Sequence, residues 1–454
     1  MAATTLPAWR PDQYADVLSI GRPPLLERAI WAYFEWLPLL WLCGLVLPLA
    51  FLIFFPACAV FGRTRRALFY ALPWFAVGIT QYISVLVNWT QSHEPAIVLL
   101  KHLVAGYVSG WLLLGAAIGV GASGIVDPER LLRSIARISY YTLLLAVPAY
   151  MLALCLPYDS LFFVSPVGHL VPATFASRNF AFGVFVYNWE DFGGSLFPRL
   201  SLLCPWPTAM GAAGVCMTFI ALNLKNRWER RAGIAGGVLM VLASMGRLSL
   251  LTLVICLLVR WFLGWRRPYQ IGLVYSMLVV VVVGLLLVQE PGALLKSFMD
   301  RFDETRPGAS EVRNEVYEAN WKGFYEAPWL GHGWPGEPLA TEHVYGTEGG
   351  MVVGSHSTVS GLLYKGGIAT FALFVVALLC TIMGLLGQRS SRWWKNNLMI
   401  TLGIGFTCFG EGLESLVLPM LFAFVWIGTS LARPIGAGDG RVSTEIRDAH
   451  NVML

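Results

Sequence analysis

Residues 232–264 read AGIAGGVLMVLASMGRLSLLTLVICLLVRWFLG, and the rest of the architecture follows from how this run is divided. As one helix at 1.5 Å per residue it would be roughly 50 Å long, against about 30 Å of hydrocarbon in a bilayer. Arg247 stands near its middle, where a charge costs several kcal/mol to insert. The run is therefore read as two spans meeting at Ser244-Met245-Gly246-Arg247. The run 398–432 divides in the same way at Glu411-Gly412-Leu413-Glu414. Further apolar stretches lie near 36–55, 67–89, 96–121, 138–157, 206–224, 269–289 and 359–387. The expectation is an all-α polytopic membrane protein with about 11 (10–12) transmembrane helices.

Composition agrees with that reading. Of 454 residues, 56% are hydrophobic and 13% charged, and the mean hydropathy is +0.63. These values exclude a soluble globular enzyme. The 18 Trp, 16 Tyr and 26 Phe suit spans flanked by interfacial aromatic belts. A net charge of +5 without a long basic run gives no footing for nucleic acid. Seven of the eight cysteines lie in or beside apolar runs and none forms a CxxC pair, so neither a disulfide framework nor a zinc site is expected. The N-terminus shows no secretory-signal pattern, which leaves insertion to the spans themselves.

Short basic connectors at 63–66, 225–231, 266–267 and 389–395 are expected on the cytoplasmic side. The opposite side then receives an outer loop, 158–205, and the segment 289–355, which carries eleven acidic residues against five Lys or Arg. Both interrupting turns fall on that outer face. Counting back puts the N-terminus outside unless Leu25 to Leu37 forms a re-entrant or interfacial helix. The expected organisation is an N-terminal segment 1–35, a first membrane part 36–288, an outer loop 289–358 with the chemistry, a last membrane part 359–432, and a polar tail 433–454. Neither a 20–50-residue repeat nor paired broken helices in the two halves marks an inverted-repeat transporter.

Several residues are candidates for chemistry. Arg247 stays ionised within an apolar run and needs an anion, a cavity or a helix terminus; the plain alternative is a snorkelling turn residue. Glu311 to Trp321 reads as an amphipathic helix with Val312, Val316, Ala319 and Trp321 to one side, and Arg313 borders that stripe. For Arg313 the bland reading is a pair with Glu315 or Tyr317. Arg199 precedes a span and also fits simple interfacial anchoring. Pro328, Gly331, Gly333 and Gly336 make an irregular segment whose N–H groups suit an anion. His356 sits just before the span that Ser357 or Thr358 would cap, and its bland reading is an interfacial histidine. Glu411 and Glu414 could orient a substrate, but pairing with Arg247 or Lys365, or a solvated turn, is the favoured reading. Asp300, Asp303 and Glu304 read as a solvated charge run rather than a metal site. No Walker loop, GxSxG elbow, HExxH or kinase signature is present.

Taken in order, these features resemble the O-antigen ligase and polymerase superfamily of bacterial cell envelopes. They are a broken span with Ser-x-Gly-Arg at its outer turn, an Arg-containing loop helix, Pro-x-x-Gly-x-Gly, and Ser-His-Ser ahead of Gly-Leu-Leu-Tyr-Lys-Gly-Gly-Ile. The resemblance covers roughly residues 195–390. It implies a GT-C-like membrane glycosyltransferase of the inner membrane, acting at the periplasmic face on undecaprenyl-diphosphate-linked saccharide without metal or other cofactor. It assigns Arg247, Arg313 and Arg199 to the diphosphate and His356 to the acceptor hydroxyl; Glu411, Glu414, Lys365 and Tyr317 are further candidates for supporting roles from their places in the sequence. The sequence departs from the family where Ser357 follows the histidine, where the turn reads Met-Gly-Arg, and at Cys204-Pro205-Trp206-Pro207. The implied partners are the lipid-linked donor, a glycan or lipid-linked acceptor, membrane lipids and other export or assembly proteins.

The chemistry has its own logic. A departing diphosphate develops negative charge that guanidinium forks stabilise, and a neutral imidazole can take the proton of a sugar hydroxyl. The expected function is joining lipid-diphosphate-linked oligosaccharides, with an exopolysaccharide or O-antigen polymerase ahead of a ligase to a lipid core. A small-solute or anion transporter and a non-catalytic scaffold are the competing classes.

Overall fold

The computed structural model describes residues 24–61, 64–92, 95–171, 182–189, 197–265, 309–336, 352–388 and 391–432. The expected span 269–289, the run Asp300 to Glu304 and the tail from Arg433 lie outside the described residues. Helix predominates among them, and three helices are long and apolar enough to cross a membrane: Arg65–Ser92, Pro128–Cys155 and Thr358–Leu386.

The chain enters through α1 (Pro24–Glu35), α2 (Leu37–Cys43) and α3 (Val46–Phe61). Here the expected single stretch 36–55 is corrected, because the chain breaks at Gly44 in the left-handed region with φ 77. Only glycine fits there: an added Cβ would collide with the Ser165 side chain. Glu27 accepts the N–H of Asp127 at 2.9 Å, whereas Cys43 at the far end accepts the N–H of Val167 at 3.2 Å. Together α1 and α2 thus lead from the Asp127 end of the bundle to the loop at its other end, and α3 returns. Pro24 therefore lies at the Asp127 end of the bundle, and the residues before it lie outside the described residues. The polar residues of α1 hid this leg from a hydropathy reading, yet they have partners. Glu35 meets Arg137 and the Ser134 hydroxyl, each at 3.0 Å.

Next come α4 (Arg65–Ser92), α5 (Ala96–His102) running through a π-helix (Leu103–Leu112) into α6 (Leu113–Ala122), and α7 (Pro128–Cys155), which Asp127 caps by accepting the Arg130 N–H at 2.8 Å. The loop that follows departs from the all-α expectation. It forms an antiparallel sheet of β1 (Ser160–Val164), β2 (Gly183–Asn188) and β3 (Arg199–Leu200), in that order. Its strands are rich in aromatic and β-branched residues, and Phe162 and Phe185 face each other across the pair with ring centroids 4.4 Å apart. The remaining elements are α8 (Pro207–Ala221), α9 (Arg227–Ala243), α10 (Arg247–Phe262), α11 (Ala309–Glu326), α12 (Thr358–Leu386), α13 (Trp394–Gly410), α14 (Leu413–Leu416) and α15 (Leu421–Leu431). Helix α8 is apolar and buried along nearly its whole length at the centre of the bundle.

Basic connectors gather at one end. Lys225 and Arg392 each meet Glu129 at 2.8 Å, and Arg66 donates to the Ala432 carbonyl at 3.1 Å. The breaks at 244–246 and 411–412 lie at the other end of α9 and α13. Helix α12 also kinks there, at Gly367 (φ 62, ψ −169). The Gly/Pro segment serves this kink. His332 and Gly333 donate their N–H groups to the Tyr364 and Lys365 carbonyls at 2.9 and 2.8 Å, and Pro328 accepts from Ile368 at 2.8 Å. These N–H groups are used inside the protein, which corrects the expectation that they face an anion.

The two ends make a labelling prediction in a cysteine-free variant of the whole protein. Lys322 and Glu229 are both exposed. Lys322→Cys should react with a membrane-impermeant thiol reagent in outer-membrane-permeabilised cells, and Glu229→Cys only after the inner membrane is opened. The reverse labelling would invert the topology.

Candidate functional site

The break between α9 and α10 is a tight turn. Ser244 Oγ accepts the Gly246 N–H at 3.1 Å, Met245 has φ 49, and Arg247 is the first residue of α10. Gly246 is the N-cap and offers no side-chain cap. Arg199 is delivered to this turn by the sheet, where it pairs with Asn188. It is buried, and its Nε–H donates to the Ser244 carbonyl at 3.0 Å.

A second turn meets a third. Thr358, fully buried, donates its hydroxyl to the Glu411 carbonyl at 2.8 Å and accepts the Leu413 N–H at 2.8 Å. Its own N–H also donates to the Glu411 carbonyl, at 3.0 Å. One threonine therefore satisfies both sides of the break between α13 and α14. Just before it, Ser357 is the N-cap of α12, accepting from the Ser360 N–H at 3.4 Å. His356, partly buried, precedes that cap with φ 61.

Helix α11 closes over the same place. Tyr317 donates its hydroxyl to the Phe409 carbonyl at 3.2 Å. Asn320, fully buried, donates to Ser360 Oγ at 3.0 Å and accepts the Gly354 N–H at 2.5 Å. The inner face of α11 is thus Val316, Tyr317, Asn320 and Gly323, while Trp321 is exposed, which corrects its expected place on the apolar stripe. Arg313 lies one helical turn before Tyr317, and its side chain is outside the described residues. Leu248, in the first turn of α10, is the side chain that Gly410 abuts.

Residues 408–413 are therefore a hub on which the Arg247 turn, the His356 turn and the Arg313 helix converge, with Arg199 joined through the Ser244 turn. Glu411 contributes its backbone to the hub. Glu414 forms a buried ion pair with Lys365, so of the readings open for that carboxylate, pairing with Lys365 is the one observed. Thr358 and Asn320 hold the assembly together, and the sequence shows Thr358 only as a possible cap and Asn320 not at all. Their signal was position: each is a polar residue on the docking face of a helix.

Three residues other than glycine have positive φ among the described residues: Leu203 (63), Met245 (49) and His356 (61). Each is within a few positions of Arg199, Arg247 or the Thr358 joint. Such backbone costs of order 1–2 kcal/mol and persists where the surroundings over-determine it, typically at functional sites. Among the described residues no group of three His, Cys, Asp or Glu is placed to hold a metal. Cys204, in the loop after Arg199, is free, and burial pushes its thiol up to about 12, so it stays protonated and unreactive at neutral pH.

Residues 232–375 match the O-antigen ligase family model. The match runs from α9 into α12, so it includes Arg247, Arg313, His356 and Lys365, while Arg199, Glu411 and Glu414 lie outside it. No curated protein matches the chain. That segment supports the resemblance to the O-antigen ligase and polymerase superfamily, and the apolar helices point to a membrane protein.

The Thr358 joint predicts a split between two substitutions. Thr358→Val keeps the shape but leaves the buried Leu413 N–H unpaired, at a cost of about 1–3 kcal/mol. Thr358→Ser keeps the hydroxyl and should melt close to wild type in a detergent thermal-shift assay. Equal losses for both would contradict the joint.

Proposed function

We propose that this hub is a glycosyltransferase site at the periplasmic face of a bacterial inner membrane, joining undecaprenyl-diphosphate-linked oligosaccharides. The observation that carries the proposal is the convergence of the Arg247 turn, the Arg313 helix and the His356 turn on residues 408–413. Arg247, at the start of α10, suits the diphosphate, and Arg199 brings its charge to the base of the same turn. Arg313 would close on the leaving group from α11. Developing negative charge on the departing diphosphate would then meet guanidinium groups held by packed backbone, which need not reorganise during reaction.

His356 suits the base. It would take the proton of the acceptor hydroxyl as that oxygen attacks the anomeric carbon and the bond to the diphosphate breaks. A positioned general base typically contributes 10² to 10⁴ in rate. Lys365 neutralises Glu414, so the carboxylate does not oppose a dianionic donor. The membrane frame is about 11 spans in a GT-C-like arrangement, with the basic end cytoplasmic, and no metal takes part.

Polymerisation of an exopolysaccharide or O-antigen is the leading reaction. The description of the matched family favours a second reading, ligation of the glycan to a lipid A-core acceptor. Supplying each acceptor separately to purified protein with a lipid-diphosphate oligosaccharide distinguishes them.

Four outcomes test the chemistry. His356→Ala should retain donor binding while transfer falls by about 10² or more, and Arg247→Ala should weaken donor binding as well. Arg313→Lys keeps charge but not the bidentate fork, so turnover should fall substantially. Near wild-type transfer by folded, inserted His356→Ala would remove the base. Chelator should leave activity intact; full loss restored by Mg²⁺ or Mn²⁺ would overturn the metal-free mechanism.

A further inference from the structure

Helix α11 has two faces with different work. Its inner face holds the hub through Tyr317 and Asn320. Its outer face carries Trp321 and Tyr325, 43% and 75% exposed, and Trp329, 74% exposed, stands just past the helix end. A spacing of four residues puts Trp321 and Tyr325 on one side of the helix, with ring centroids 6.4 Å apart and planes tilted by 34°. Phe324 packs beside them, 5.9 Å from Trp321 and 5.5 Å from Tyr325. Trp329 follows the helix end, and its backbone is fixed on α12 by the Ala369 N–H at 3.4 Å.

Large aromatic rings left open to solvent on a rigid helix need a partner. A bilayer surface is one class, but interfacial anchors combine aromatic rings with Lys and Arg that meet anionic headgroups. Here the exposed charges among the described side chains of the helix are Glu315, Glu318 and Glu326 against Lys322. An acidic border disfavours an anionic lipid surface. It is compatible with a neutral, hydroxyl-rich saccharide, whose C–H faces stack on aromatic rings while its hydroxyls bond to carboxylates. The row stands on the same helix as Tyr317 and Asn320, which hold α11 to the hub.

We infer that Trp321, Tyr325 and Trp329 form a stacking platform for the saccharide chain, carrying sugars beyond the unit that reacts. The inference rests on the transferase reading above and adds to it a residue set for acceptor or growing-chain recognition. Trp321 and Tyr325 are roughly 6 Å apart at helical rise, and Trp329 extends the row past the helix end, which suits a few sugars rather than one.

The test uses full-length protein in lipid nanodiscs and a neutral linear six-sugar oligosaccharide, with affinity measured by calorimetry. Tyr325→Ala and Trp329→Ala should each bind the probe up to about tenfold more weakly, the effect of losing one stacked ring. Tyr325→Trp should restore affinity. Both alanine variants should still transfer to a single-unit acceptor at wild-type rate but give shorter products or poorer use of long acceptors. Unchanged probe affinity in both variants overturns the platform. So does a loss of bilayer retention with saccharide binding intact, which would make the rings membrane anchors. Wild-type protein that binds the probe but transfers nothing would sink the transferase reading and leave the platform standing. Wild-type protein that transfers but binds no probe would do the opposite.

Discussion

A helix interrupted within an apolar layer frees backbone groups that lipid cannot satisfy, and this constraint organises the candidate site. The break between α13 and α14 is satisfied by Thr358, whose hydroxyl bonds to both Glu411 and Leu413. The break between α9 and α10 is satisfied by Ser244 within the turn and by Arg199 from the sheet. The kink of α12 is satisfied by His332, Gly333 and Pro328. Each interruption is thus closed by a piece of another interruption or of an outer loop. The result is a rigid cluster of backbone turns at one end of the bundle, with charged and titratable side chains at its edges.

That rigidity explains how strained residues persist. Met245 and His356 hold positive φ because the chain on both sides of each is bonded or packed, so relaxing the backbone would break the Ser244 or Ser357 contacts. A preorganised arginine turn is what a reaction with a charged leaving group requires. The buried Lys365–Glu414 pair contributes to the same end, because removing either partner would strand a charge at the base of the cluster.

Much of this was legible in sequence where a charge violated hydropathy. Arg247 and Glu411 announce their turns because a lone charge in an apolar run is costly, and Ser357 announces the start of α12 by its cap chemistry. Other features were silent for physical reasons. Gly44 breaks a span without any polar residue, and the polar residues of α1 dilute a leg whose carboxylates are paired. The sheet arises from short aromatic stretches that read as ordinary apolar loop. The Gly/Pro segment looked open because sequence shows donors but not the kinked carbonyls of Tyr364 and Lys365 that take them. Trp321 was placed inward by its apolarity, whereas Asn320 took the buried position because it satisfies Ser360 and Gly354.

The central claim is that the interruptions build one diphosphate site at the end of the bundle opposite the basic connectors. Electron cryo-microscopy of the protein with a lipid-diphosphate saccharide bound tests it most directly. The account predicts diphosphate density at the first turn of α10, within hydrogen-bond reach of Arg247, with the sugar end toward the His356 turn. Diphosphate density at the Lys225 and Arg392 end, or none at the α10 turn under conditions where transfer proceeds, would contradict it.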